Sequence, residues 1–333
     1  PTRSLPVGEV LQSCVLDHLE TGSTPGQAVA VDSKRYTVGR SDSSIEQGGL
    51  MFKSALICTD FEDSIDRLAR FVPALAAGGL ETQVFFHNVA LQTEREIPKV
   101  DTEAIEAAKQ KLAIAANAAP HGITVNIEVP SGRPSDNILK AARDYDVDVV
   151  ILGTPTRSLL TEKLFGSTTV GITKQCHVPL LILRPQLVAT YREDELTLRC
   201  EHLFEYPLIP FDDSQSARYL VDQVKQRAQS CPTIKQVLLC WVIDDSIRKE
   251  LRGDDPVGHA NEVMAPIKAE LESTGLAVET EVRQGEPQDE ILKAAEIYNV
   301  TGIAVSTSGG GLLKKFSSPS LTSALIRSSW HPL

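Results

Sequence analysis

No apolar run in this sequence approaches the roughly 18 residues that would suggest a membrane-spanning helix. Its first residues, PTRSLPVGEV, hold no long apolar core, so no secretory signal is expected there. Positive charge is in deficit: 44 Asp and Glu against 33 Lys and Arg leave a formal net charge of −11. That balance argues against a general nucleic-acid binder and against a partner of anionic membranes. None of the six cysteines forms a CxxC pair, and no His/Cys/Asp cluster has zinc-ligand spacing. Cys58 and Cys240 fall inside apolar, strand-like runs, where buried thiols are expected. Without a secretory signal, a reducing cytoplasm is the expected compartment. The seven histidines are scattered, and none is expected to be catalytic.

What is present is a chain of 333 residues, long enough for two domains with real cores, with a hydrophobic content of 42% that suits a globular protein. The chain repeats itself. SGRPSDNILKAARDYDVDVVILG, from Ser131, matches QGEPQDEILKAAEIYNVTGIAVS, from Gln284. Gly132 pairs with Gly285 and Pro134 with Pro287, and the same spacing carries Pro179 onto Pro332 without a gap. A repeat of this length is domain-sized rather than solenoid-sized.

Each copy alternates strands and helices. In the first, strands are expected at 53–59, 83–89, 123–129, 147–152 and 179–183, with helices at 63–77, 102–118, 135–144 and after Gly166. In the second, strands are expected at 203–210, 237–243, 277–282 and 302–305, with helices at 214–229, 260–274 and 288–298. Alternation of this kind demands a parallel sheet covered on both faces. The fold class is therefore α/β, two tandem doubly wound domains of Rossmann-like form. The expected division is an N-terminal extension over 1–48, domains over 49–186 and 202–333, and a polar linker over 187–201. The extension carries an apolar helical stripe (Val7, Val10, Leu11, Cys14, Val15, Leu19) that either docks on the chain's own domains or binds a protein partner. The second copy reaches Leu333 where its fifth strand should begin. Its fourth strand would then be an edge needing cover, which the extension could supply.

Sheets of this kind bind ligands beyond the carboxyl ends of their strands, where strand order reverses. Asp60 and Gly153 lie just past the ends of strands one and four. The stretch from Gly153 to Thr168 leaves a strand on a glycine and opens a helix on Gly166-Ser167. It reads either as a phosphate cradle, with close backbone approach and unpaired helix N–H groups, or as an ordinary helix cap. Asp60 reads either as a ligand contact at that crevice or as an N-cap.

Gly153, Thr156, and then Gly166-Ser167 after nine residues, with CTDFEDS, GRP at 132–134 and CHVPLLILRP, make the sequence similar to the universal stress protein family in its tandem form. Thr156 stands where the family pattern has a second glycine. The resemblance implies an adenine nucleotide alpha-hydrolase-like fold with strand order 3-2-1-4-5, and a site for ATP or AMP, with or without Mg. Carried onto the first copy, it nominates Cys58, Thr59, Asp60, Val89, Leu152, Gly153, Thr156, Gly166, Ser167 and Thr168. In the second copy it nominates Asp212, Ser306, Gly309 and Ser320, but Pro319 replaces Gly166 and removes an N–H donor. The first copy is thus expected to bind nucleotide better. The implied role is a non-catalytic regulatory module. The alternatives are an interaction scaffold with vestigial pockets and a slow ATPase. The expected associations are an adenine nucleotide, pairing of the two domains within the chain, and a homodimer as a further option. Neither nucleic acid nor membrane insertion is expected.

Overall fold

The computed structural model describes residues 52–62, 64–94, 97–154, 172, 175–176, 178–228, 233–244, 255–306 and 321–333. The N-terminal extension, with its apolar stripe, lies outside them. Among the described residues no helix is long and apolar enough to cross a membrane.

The first copy begins with β1 (Ser54–Cys58), a 3-10 turn over Ile65–Arg70, α1 (Val72–Ala77) and β2 (Thr82–Phe86). It continues with β3 (Gln92–Glu94), β4 (Ile97–Lys99), α2 (Thr102–Ala118), β5 (Thr124–Glu128), α3 (Pro134–Asp144), β6 (Val149–Gly153) and β7 (Leu180–Leu183). Its main sheet runs β5-β2-β1-β6-β7, with every pairing parallel. Counting the main-sheet strands alone, this is the 3-2-1-4-5 order that the resemblance implied. The central strands are continuous apolar runs because both faces are covered. Ile57, Phe85 and Ile151 pack with Leu68, Leu75 and Leu112 on one face. Leu56, Val84 and Val150 pack with Ile138, Ala142 and Ile172 on the other.

Three local features depart from expectation. The helix expected over 63–77 breaks at Phe71, which has φ −109° and ψ 22°. Pro73 explains the break: it lacks an N–H and its ring would clash with the carbonyl four residues back. A small antiparallel hairpin, β3 against β4, was not expected. The segment expected as a polar linker forms α4 (Pro185–Val188) and α5 (Glu193–Glu201). Leu196 and Cys200, four residues apart and so on one helical face, are buried in the first copy's core. Gly78 makes room for α5, since a Cβ there would collide with the Cys200 carbonyl oxygen.

The second copy comprises β8 (Pro207–Pro210), α6 (Gln215–Ala228), β9 (Gln236–Ile243), α7 (Pro256–Glu272), β10 (Ala277–Gln284), α8 (Pro287–Ile297), β11 (Gly302–Ile303) and α9 (Leu321–Ser328). Its parallel sheet runs β10-β9-β8-β11, the same order without a fifth strand. The edge of β11 is met by the last residues of the chain. Ile303 N–H donates to the Pro332 carbonyl at 2.8 Å, and Leu333 exchanges backbone hydrogen bonds with Ile182 of β7. The described cover for this edge is therefore residues 332–333, and behind them the first copy's own outer strand. Arg184, which follows β7, reinforces the junction. Its guanidinium donates to the carbonyls of Ile326, at 2.9 Å, and Arg327, at the end of α9. The Trp330 ring lies 5.8 Å from it.

Candidate functional site

In the first copy the strand order reverses at β1. Cys58 is the register partner of Leu152 on one side and of Phe86 on the other. Residues 58–60 and 152–153 therefore leave the sheet side by side, as the sequence predicted. Val89 lies beyond the end of β2, bridged to Ser131. Six of the ten residues nominated in this copy are thus gathered at one crevice. Thr156, Gly166, Ser167 and Thr168 lie outside the described residues.

The six do not contribute in the same way. The side chains of Cys58 and Leu152 are buried in the cluster on the opposite face of the sheet, so they offer the crevice only their backbone. Val89 is buried, and its N–H and carbonyl tie the crevice to the loop before α3. It donates to the Pro130 carbonyl at 2.9 Å and accepts from Gly132 N–H at 3.2 Å. Gly132 has φ +129°, which favours glycine there. Asn137 of α3 stiffens this corner, donating to Asn88 Oδ1 at 2.7 Å and to the Ser131 carbonyl at 3.2 Å.

Thr59 is the hub. Its N–H donates to the Phe86 carbonyl at 3.0 Å, and its hydroxyl oxygen accepts from Phe61 N–H at 2.9 Å. Its carbonyl lies 2.9 Å from His87 Nδ1. A carbonyl can only accept, so Nδ1 carries the proton that bonds it. Asp60 is exposed and closes its own turn, its Oδ1 accepting from Glu62 N–H at 2.8 Å. It does not cap the helix, whose N-cap is Ser64. Phe61, at φ +65°, stacks on His87 with ring centroids 4.2 Å apart, and Lys111 Nζ sits 3.8 Å above the Phe61 ring. Sequence reasoning missed His87 and Phe61. The available signal was a polar residue ending an otherwise apolar strand, directly opposite the Thr-Asp pair.

The second copy retains the frame and changes the lining. Pro210 pairs with Cys240 in the register that Cys58 holds with Phe86. Phe211 therefore occupies the place of Thr59, and Trp241 that of His87. Both are buried, at 2% and 7% exposure, and pack edge to face with ring centroids 5.9 Å apart. Asp212 repeats the Asp60 turn by accepting from Ser214 N–H at 3.1 Å. Ser306 lies three residues past β11, while Gly309 and Ser320 fall outside the described residues. No group of three or more His, Cys, Asp or Glu side chains among the described residues is arranged to hold a metal.

The fold and crevice define a tandem α/β protein whose two halves share one frame and differ in the residues at their strand ends. A family model described as "Universal stress protein family" matches residues 51–184 and again 208–333. The chain belongs to the universal stress protein family. A curated relative, universal stress protein MJ0577 of Methanocaldococcus jannaschii, is 26% identical over 159 residues, covering 40% of this chain and 96% of that protein. A universal stress protein of Archaeoglobus fulgidus has a solved structure with a TM-score of 0.58 at 21% identity, covering 85% of this chain and 95% of its own, which shows the shared fold. A universal stress protein solved in complex with cAMP aligns at 17% identity with a TM-score of 0.32, covering 40% of this chain and 98% of that one.

Proposed function

We propose that the protein is a regulatory module that binds an adenine nucleotide, ATP or AMP, in the first copy and performs no chemistry on it. The observation that carries this reading is the contrast between the two crevices. In the first copy, the switch point presents Asp60, the Thr59–His87 pair and the bare backbone of Gly153. In the second, Asp212 keeps the place of Asp60, but Phe211 and Trp241, packed into the core, replace the Thr59–His87 pair. A carboxylate accepts hydrogen bonds from ribose hydroxyls, and a glycine at a strand end admits a phosphate closely. Val89, itself buried, joins the crevice to the loop before α3. Binding would bias the surface that a partner reads. Mg would arrive with the nucleotide phosphates rather than on a resident protein site.

The test is to denature the purified chain and identify any released nucleotide by chromatography, then titrate ATP and AMP into the emptied protein by calorimetry. One site per chain, lost in Asp60→Ala, is the expected result. Two equal sites, or steady turnover of added ATP, would overturn it. A chain that never takes up nucleotide would leave the scaffold reading.

A further inference from the structure

Away from the crevice, the two copies and their connecting helices enclose a cavity of about 400 Å3. Its depth is set by Leu68 and Leu75 of the first copy, Leu183 at the end of β7, Leu196 and Cys200 on α5, and Val300 before β11. Each of these is under 5% exposed. The mouth differs. Leu198 and Trp330 also line the cavity, yet they are 56% and 60% exposed. The space is thus a pocket with a buried apolar interior and an open apolar lip.

Its volume falls within the range of roughly 300–1,000 Å3 in which proteins hold small ligands, and well above the small apolar voids that simply stay dry. The polar groups on its lining are mostly committed. The Thr301 hydroxyl accepts from Tyr206 N–H at 3.0 Å, and His202 Nδ1 bonds the Glu205 carboxylate. Arg199, exposed at the lip on α5, makes no hydrogen bond or ion pair with another described residue. An apolar interior with one uncommitted guanidinium at its entrance matches a molecule that is apolar along its length and anionic at one end.

We propose that this inter-copy cavity binds a single-chain amphiphile with an anionic head, a medium-chain carboxylate being the simplest member of the class. The tail lies among Leu75, Leu183 and Leu196, and the head stays at the surface on Arg199. Burial of the chain supplies affinity in proportion to its length, and the guanidinium fixes its direction. Leu198 and Trp330 are then the residues that close over the alkyl chain, which accounts for two large apolar side chains held at the surface beside a pocket.

The probe is decanoate, titrated into the full chain by calorimetry, with octanoate and decanol as comparators. The expected result is one site per chain. Decanoate should bind roughly ten-fold tighter than octanoate, as expected for about three- to four-fold per methylene. Decanol, and decanoate with Arg199→Ala, should each bind roughly ten-fold more weakly or worse. Arg199→Ala alters only an exposed side chain, so it serves even if the cavity-filling variant Leu196→Phe, which should abolish binding, fails to fold. Three outcomes overturn the proposal: no saturable decanoate binding, decanol binding as tightly as decanoate, or Arg199→Ala without effect. A dimer that dissociates in Leu198→Glu, in a protein that ignores decanoate, would also overturn it by assigning the lip to a second copy of the chain.

Discussion

Ile182 and Leu333 exchange backbone hydrogen bonds in both directions, at 2.6 and 3.2 Å. One residue lies in the outer strand of the first sheet and the other at the end of the second copy. Through Pro332, which accepts from Ile303, the two sheets share one hydrogen-bonded seam. Such a seam occupies backbone groups on both edges that would otherwise be open to another strand, at Ile182 of β7 and Ile303 of β11.

Arg184 holds this seam from the side, donating to two carbonyls that the end of α9 leaves without helical partners. Arg184→Ala should destabilise the protein by about 1–3 kcal/mol, since buried acceptors lose their partner. Chemical denaturation checks this, and hydrogen exchange should show the loss concentrated in α9 and residues 329–333.

His331 makes the junction sensitive to acid. Burial holds its folded pKa below the ordinary value of 6.5, against a smaller opposing effect of the Glu296 charge. Its contribution to stability is therefore present above pH 6.5 and is lost as pH falls through the folded value. Thermal melts at pH 7.5 and 5 should show a drop that is smaller in His331→Gln.

Tyr145 acts at the other end of the scale. Burial, the neighbouring Glu128 carboxylate it donates to at 3.1 Å, and Asp144 push its pKa up from 10.0 to about 12. Its stabilising contribution is present below pH 10 and is lost as pH rises towards 12. Tyr145→Phe should flatten the alkaline loss of stability in that window, followed by circular dichroism.

Gly78→Ala should cost about 1–3 kcal/mol, because the new methyl meets the Cys200 carbonyl oxygen and α5 must move. The variant's urea midpoint checks this. Leu196→Ala, which leaves a void in the same packing, should destabilise by about 2–5 kcal/mol.

Thr59→Phe with His87→Trp copies the second crevice into the first. If the polar lining selects the nucleotide, this double variant should fold yet lose ATP or AMP affinity by roughly ten-fold or more. Calorimetry beside a circular dichroism spectrum separates loss of binding from loss of fold.

Much of the architecture was legible because it is written in periodicity. The repeat pairing Gly132 with Gly285 survives in the structure as matching positive-φ turns before α3 and α8. The apolar runs became the buried central strands, and the strand order of the first sheet followed from the resemblance. What was missed depended on distant partners. The polar surface of 193–201 concealed a helix because only Leu196 and Cys200 anchor it, against a core far away in sequence. The edge of β11 could not be assigned because its partner comes from the other copy. In the crevice, Asp60 and Gly153 stood out as residue types, whereas His87 gains meaning only when β2 lies beside β1 and brings its ring to the Thr59 carbonyl.

The helix that joins the two copies is anchored on the first one through Leu196 and Cys200. In a connection of this kind the residues between the copies go into packing rather than into slack. Lengthening the connection by inserted residues would have to pull Cys200 away from Gly78 before it could gain any reach.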